Sequence, residues 1–331
     1  MDSVKRESLI AKLERMPLAA VPTMMGVTAL SNAWRNFGFD WLNNIAMIAG
    51  LIVWLLYMCK VVFHFKTCVE EYQNTVLASL YCTTAILLMI ITGWAAQWEA
   101  LFFPMKILHY TGAVAQMLFV LLFTYRHVLR GINPATFVPS WYVTYVGIFI
   151  SPITGGIFGL TGLNMAIFWF SAPIYWLSLI PMIIRLRRLP VPEKALHTRN
   201  VLLAPPALSL TTYLVYSSNP NHTFVLGMVT LLCLTLVYVY WNVPRFFSVP
   251  YVPGMAALTF PNVAATLTLF YVADYFLFVD SFEASWVFSQ LAGIQMFLTT
   301  AVVVFVAFNL WKMGIKGFLA KRPPVEEKKV A

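Results

Sequence analysis

Runs of about twenty consecutive apolar residues recur from near residue 18 to near residue 309, and they constrain this chain more than any other feature. A helix rises 1.5 Å per residue, so each run is long enough to cross a hydrocarbon layer of about 30 Å. Inside that layer only helices and closed barrels satisfy every backbone polar group. The runs are continuous and do not alternate with period two, which selects helices over barrel strands. Composition agrees: 60% of the 331 residues are hydrophobic and only 11% charged, where a soluble domain carries roughly 25% charged residues. The aromatic share of 16% suits Trp and Tyr belts at the two membrane faces.

Ten spans are expected, at roughly 18–36, 43–63, 74–94, 106–126, 136–156, 163–184, 200–219, 222–243, 253–273 and 288–309. Short connections make consecutive spans antiparallel hairpins. With the N-terminus inside, 20 of the 22 Lys and Arg residues fall on the inner side, leaving only Arg35 and Lys106 outside. That bias is the positive-inside signal, and it ties the net charge of +9 to topology rather than to nucleic-acid binding. The expected organisation is an amphipathic inner segment over 1–17, a membrane domain over 18–312 and an inner tail over 313–331. The expected location is the plasma membrane (the inner membrane in a bacterium), multi-pass, with both termini cytoplasmic. The first apolar stretch reads as a retained helix, because no small-residue cleavage pattern follows it.

Odd and even spans differ in composition. Ser, Thr, Asn, Gln, Gly and Pro make up 40 of 102 residues in the odd spans and 24 of 108 in the even ones. Lipid-facing helices are expected to be apolar and regular, whereas helix-breaking residues are tolerated beside protein or a water-filled cavity. Each hairpin therefore reads as one inner and one outer helix, with five inner helices around a central path. The competing expectation is a solid bundle in which Pro and Thr mark helix–helix contacts.

The spans carry no Asp, Glu, Lys or Arg near their middles, which disfavours proton-coupled carriage. His109, about one turn into the fourth span, reads as a packed histidine rather than a relay. The four cysteines and five histidines form no metal-ligating spacing, and HExxH, GxSxG and phosphate-loop patterns are absent. No cofactor, metal or enzymatic activity is expected.

In the ninth span Phe260 immediately precedes Pro261. A proline favours a bend, and a ring at such a bend can close a cavity by dewetting it. The stretches VPTMMGVTALSNAWR, FPMKILHYTGAVAQM, VPSWYVTYVGIFISP and LTFP, in this order in a ten-span layout, resemble the TehA tellurite-resistance and plant slow anion channel family, which includes C4-dicarboxylate (malate) transporters. The likeness runs over about residues 16–312. It implies an all-α fold of five hairpins in pseudo-fivefold arrangement, a homotrimer in lipid, and a pore-occluding phenylalanine that maps by motif to Phe260. The sequence departs from the family at Gly254, Met255, Ala256 and Ala257, where aromatic residues often precede that phenylalanine.

The expected function is passive conduction of small inorganic or organic anions. The alternative is proton-coupled export of C4-dicarboxylates or of oxyanions such as sulfite or tellurite. A gate is expected at Phe260 and Pro261. The expected lining is Pro22, Thr23, Gly26, Thr83, Thr84, Pro139, Ser140, Thr144, Pro205, Ser209, Thr212 and Thr259. A basic inner mouth is expected from Arg126, Arg130, Arg185, Arg187, Arg188 and Arg245.

Overall fold

The computed structural model describes residues 9–319, and the described chain is helical throughout. A short helix α1 (Leu9–Leu13) precedes α2 (Ala20–Arg35), α3 (Asp40–Phe63), α4 (Phe65–Glu71), α5 (Thr75–Tyr81), α6 (Thr83–Ala95) and α7 (Glu99–Phe123). There follow α8 (Trp141–Val146), α9 (Ile150–Gly155), α10 (Thr161–Arg188), α11 (Ala204–Tyr216), α12 (His222–Phe246), α13 (Phe260–Phe278) and α14 (Phe282–Leu319). Among the described residues eight helical segments are long and apolar enough to cross a membrane. Two expected spans coincide with shorter helices instead, the 16-residue α2 and the 13-residue α11. The tail over 313–331 lies mostly outside the described residues.

The compositional alternation reappears as structure. The even segments α3, α7, α10, α12 and α14 are uninterrupted helices, and only 28–33% of the residues in their most apolar stretch are buried. Three of the segments between them, Thr75–Ala95, Trp141–Phe158 and Pro253–Phe278, are buried to 67–78% and are broken. Thr75–Ala95 divides into α5 and α6, and Trp141–Phe158 alternates α8 and α9 with two 3-10 turns. A 3-10 stretch, Glu193–Leu203, leads into α11, and another, Pro253–Leu258, leads into α13. The odd-span prolines Pro205, Pro206 and Pro261 sit in the first turn after such breaks, where the missing N–H costs no hydrogen bond. Prolines inside continuous helices, Pro104, Pro173, Pro181 and Pro244, belong to the outer set.

Packing closes the five alternate segments into a circuit. α2 packs on α6, α6 on α9, α8 and α9 on α11, α11 on α13, and α13 back on α2. Each is backed by the helix that follows it, as α3 backs α2, α7 backs α6 and α14 backs α13. Close approach is possible where a side chain is missing: a Cβ on Gly93 of α6 would lie 2.5 Å from the carbonyl oxygen of Thr154 in α9.

Lys60, expected at a helix end, is buried at 1% exposure. Its Nζ donates to Glu71 Oε1 at 2.7 Å and to the Met16 carbonyl at 2.9 Å. His64 Nε2 lies 2.8 Å from the Ile10 carbonyl, so the described part of the N-terminal segment is pinned to the connection after α3. His109 is also fully buried, with Nδ1 3.2 Å from Thr92 Oγ1 and Nε2 3.1 Å from the Ser151 carbonyl, joining α7 to α6 and α9.

Candidate functional site

Two cavities lie inside the circuit. The wider, of about 280 Å³, is rimmed by Asn32, Arg35, Asn36, Trp94 and Tyr271. The narrower, of about 30 Å³, lies toward Pro22, Leu80 and Tyr142. Every residue lining either one comes from the first, third, fifth, seventh or ninth segment, and none from the continuous helices. The linings are related by single helical turns. Met25, Ile86, Val146, Ala204 and Phe260 face the narrow cavity, and Ala29, Ile90, Ile150, Leu208 and Ala264, each four residues on, face the wide one. Only Phe260 and Leu208 line both. The boundary is therefore an apolar level with the Phe260 ring in it, and that residue is 7% exposed.

Local chain geometry sets the ring there. The 3-10 stretch Pro253–Leu258 ends at Thr259, whose φ of −85° and ψ of −81° turn the chain before α13 begins at Phe260. Thr259 Oγ1 fixes the turn by donating to the carbonyls of Ala256 at 2.8 Å and Pro22 at 3.2 Å. Gly26 permits that approach, because a Cβ there would lie 2.4 Å from Thr259 Cβ.

A profile of the family described as voltage-dependent anion channel, SLAC1, matches residues 15–313, a range that holds every residue of both linings. The chain belongs to the SLAC1 family. Membership places it among multi-pass membrane proteins of anion channel and transporter type, and it accords with the eight long apolar helices. Among curated proteins, none matches the chain.

Of the gate and lining residues named from the sequence, Pro22, Thr83, Phe260 and Pro261 of this SLAC1-family chain line the cavities. Thr23, Gly26, Thr84, Pro139, Ser140, Thr144, Pro205, Ser209, Thr212 and Thr259 lie outside both linings. Several of those hydroxyls are occupied by backbone carbonyls: Thr84 donates to Tyr81 at 2.8 Å, Thr212 to Leu208 at 2.8 Å and Thr144 to Ser79 at 3.3 Å. For Thr84 and Thr212 the acceptor is three or four residues back, the ordinary way to satisfy a helical threonine in an apolar medium, whereas Thr144 bonds across to another segment.

None of the six arginines expected at a basic mouth lines either cavity. Arg185 is 5% exposed and donates to the carbonyls of Pro134, Ala135, Leu189 and Pro190 at 3.0–3.4 Å, tying the connection before α8 to the chain that follows α10. Arg126 lies over the Tyr72 ring and Arg130 over the Tyr125 ring. Arg187, Arg188 and Arg245 are exposed. The cation at a cavity rim is Arg35, whose Nε is 2.9 Å from Asp40 Oδ1 and whose Nη2 is 3.3 Å from Gln97 Oε1. Sequence reasoning noted Arg35 only as an exception to the charge bias, and that exception was the available signal. Leu208, Ile86, Ile90, Val146 and Ile150 were missed because an apolar residue lining a path has the same composition as one facing lipid.

Proposed function

We propose that the protein conducts small anions passively along the axis of the circuit, through a path that the Phe260 ring closes between the two cavities. The proposed architecture is ten membrane-crossing helices as five hairpins in pseudo-fivefold arrangement, with α2 and α11 completing the count. The assembly in the membrane is proposed as a homotrimer, with both chain ends cytoplasmic and Arg35 outside. The single observation that carries the reading is the origin of the linings: five alternate segments supply all of both, and meet at Phe260 and Leu208.

The physical argument follows from that level. An ion entering a ring of Met25, Ile86, Val146, Leu208 and Phe260 loses water and finds no side-chain donor in exchange, so the barrier is dewetting rather than repulsion. At the narrow cavity the helix starts at Ala204 and Phe260 have no side-chain cap, and the positive ends of their dipoles favour an anion over a cation. Arg35 at the wide rim raises local anion concentration. Its pairing with Asp40 reduces that field without removing the guanidinium from the rim.

The test is the reversal potential of purified protein in planar bilayers under chloride, nitrate and malate gradients. Reversal at the anion equilibrium potentials supports the reading and ranks the ions. Electrical silence together with proton-driven uphill uptake in sealed vesicles overturns it in favour of coupled export.

A further inference from the structure

A third cavity, of about 370 Å³, lies off the axis, between the continuous helices α3 and α7. Trp54, Met58 and Val61 of α3 form one wall, and Ala115, Phe119 and Leu122 of α7 the other. Its floor is Thr84, Ala85 and Leu88 on the back of α6. Neighbouring positions on the two walls are strongly exposed apolar side chains, with Val62 at 72% and Leu118 at 60%, so the crevice opens on a strongly apolar outer face.

Two observations say what fits it. The first is charge. Arg126 is the sole charged lining residue and sits at one end, 5.9 Å from the Tyr72 ring centre. No carboxylate among the described residues pairs with it. It belongs to the π-helical turn Thr124–Val128, an irregular end to α7 of a kind that often accompanies ligand sites. The second is length. From Trp54 to Phe65, and from Ala115 to Arg126, the walls run eleven residues, about 16 Å at helical rise, or one leaflet of a 30 Å hydrocarbon core. An apolar slot one leaflet deep, ending in a guanidinium that no carboxylate of the described residues neutralises, matches one class of molecule.

We propose that this crevice binds one anionic phospholipid, with an acyl chain between α3 and α7 and the phosphate on Arg126. Guanidinium and phosphate form short charge-assisted hydrogen bonds, which a zwitterionic lipid satisfies less well because its own ammonium competes. The site is independent of the conduction reading but touches its machinery. Thr84, Ala85 and Leu88 share α6 with Ile86 and Ile90, which line the central cavities, so the lipid supports the wall of the axis from behind.

The test is native mass spectrometry of the full-length protein released from detergent supplemented with phosphatidylglycerol or phosphatidylcholine. The expected result is one phosphatidylglycerol retained per chain, at least tenfold more strongly than phosphatidylcholine. Arg126→Gln is expected to abolish that preference. Ala115→Phe, which fills the slot, is expected to lose retention of both lipids. Leu122→Trp, at a half-exposed position, serves the same purpose should Ala115→Phe fail to fold. Millimolar inorganic phosphate is expected to leave retention unchanged. Equal phosphatidylglycerol retention in wild type, Arg126→Gln and the slot-filling variant overturns the proposal. Displacement by inorganic phosphate overturns it in favour of a free-anion site. A slot-filling variant that changes the number of chains per particle but not the lipid count overturns it in favour of a contact between copies.

Discussion

Gly26→Ala is the smallest change that reaches the Phe260 turn. The added methyl would sit 2.4 Å from Thr259 Cβ, 2.5 Å from Thr259 Oγ1 and 3.0 Å from the Phe260 nitrogen. Ordinary carbon–carbon contact begins about 1 Å farther out. Thr259 cannot rotate away freely, because it is fully buried and its hydroxyl is committed to Ala256 and Pro22. Either α2 moves off the turn, at about 1–3 kcal/mol for overpacking, or Thr259 turns and gives up hydrogen bonding worth about 1 kcal/mol. The expected cost is therefore about 1–3 kcal/mol, read as a fall of roughly 2–8 °C in the unfolding midpoint of purified protein. Gly227→Ala is the matched control: it too lies in a helix, and its Cβ would meet nothing within 4 Å. It should be neutral or slightly stabilising, since alanine loses less backbone entropy than glycine. A Gly26→Ala midpoint within a degree of wild type would refute the close-approach argument, and with it the account of what holds Phe260 in place.

Three further outcomes follow from the same geometry. Lys60→Met leaves Glu71 with the Tyr81 hydroxyl but without its ion-pair partner and should cost about 3 kcal/mol, whereas Arg35→Gln, which breaks an exposed pair, should cost under about 1 kcal/mol; thermal unfolding of the two variants side by side reads the difference. Arg35→Gln should instead lower anion current several-fold at low salt, with the effect fading at high salt as screening removes the rim field, which bilayer recordings at two ionic strengths would show. His197 is buried against the Phe246 carbonyl, 3.0 Å from its Nε2, and burial pulls its pKa below the ordinary imidazole value. The unfolded chain then binds the proton first as pH falls, so stability should drop from about pH 6.5 downward through the lowered value; His197→Gln should flatten the melting-temperature profile between pH 7.5 and 5, and an unchanged slope would contradict the assignment.

The long continuous helices were legible because each is an unbroken apolar run, and hydropathy reads such runs directly. The odd–even alternation was legible in composition and reappears as burial and as broken helices. Proline carried a different meaning from the one expected. In the buried segments it marks the restart of a helix after a 3-10 break, as at Pro205 and Pro261, while interior prolines such as Pro104 and Pro244 lie in outer helices. The polar lining was the least legible part. Thr84, Thr144, Thr212 and Thr259 turn their hydroxyls to backbone carbonyls, and sequence does not say whether a threonine bonds its own helix or faces a cavity. Arg185 looked like a surface charge and is a buried clamp on four carbonyls, a role set by how the connection before α8 folds back on the end of α10. Phe260 was reached through the LTFP likeness; its composition and spacing alone would not separate it from the other phenylalanines.

The measurement that bears most directly on the central claim is single-channel and macroscopic anion current of Phe260→Ala beside wild type, at matched protein density and after confirming equal thermal stability and oligomeric state. On the proposed reading, removing the ring takes away the side chain that closes the path between the cavities, leaving Leu208 as the other residue common to both linings. The account predicts at least a tenfold rise in current, which corresponds to lowering the barrier by about 1.4 kcal/mol, with anion selectivity retained. Unchanged current in a folded, correctly assembled variant would contradict a gate at Phe260.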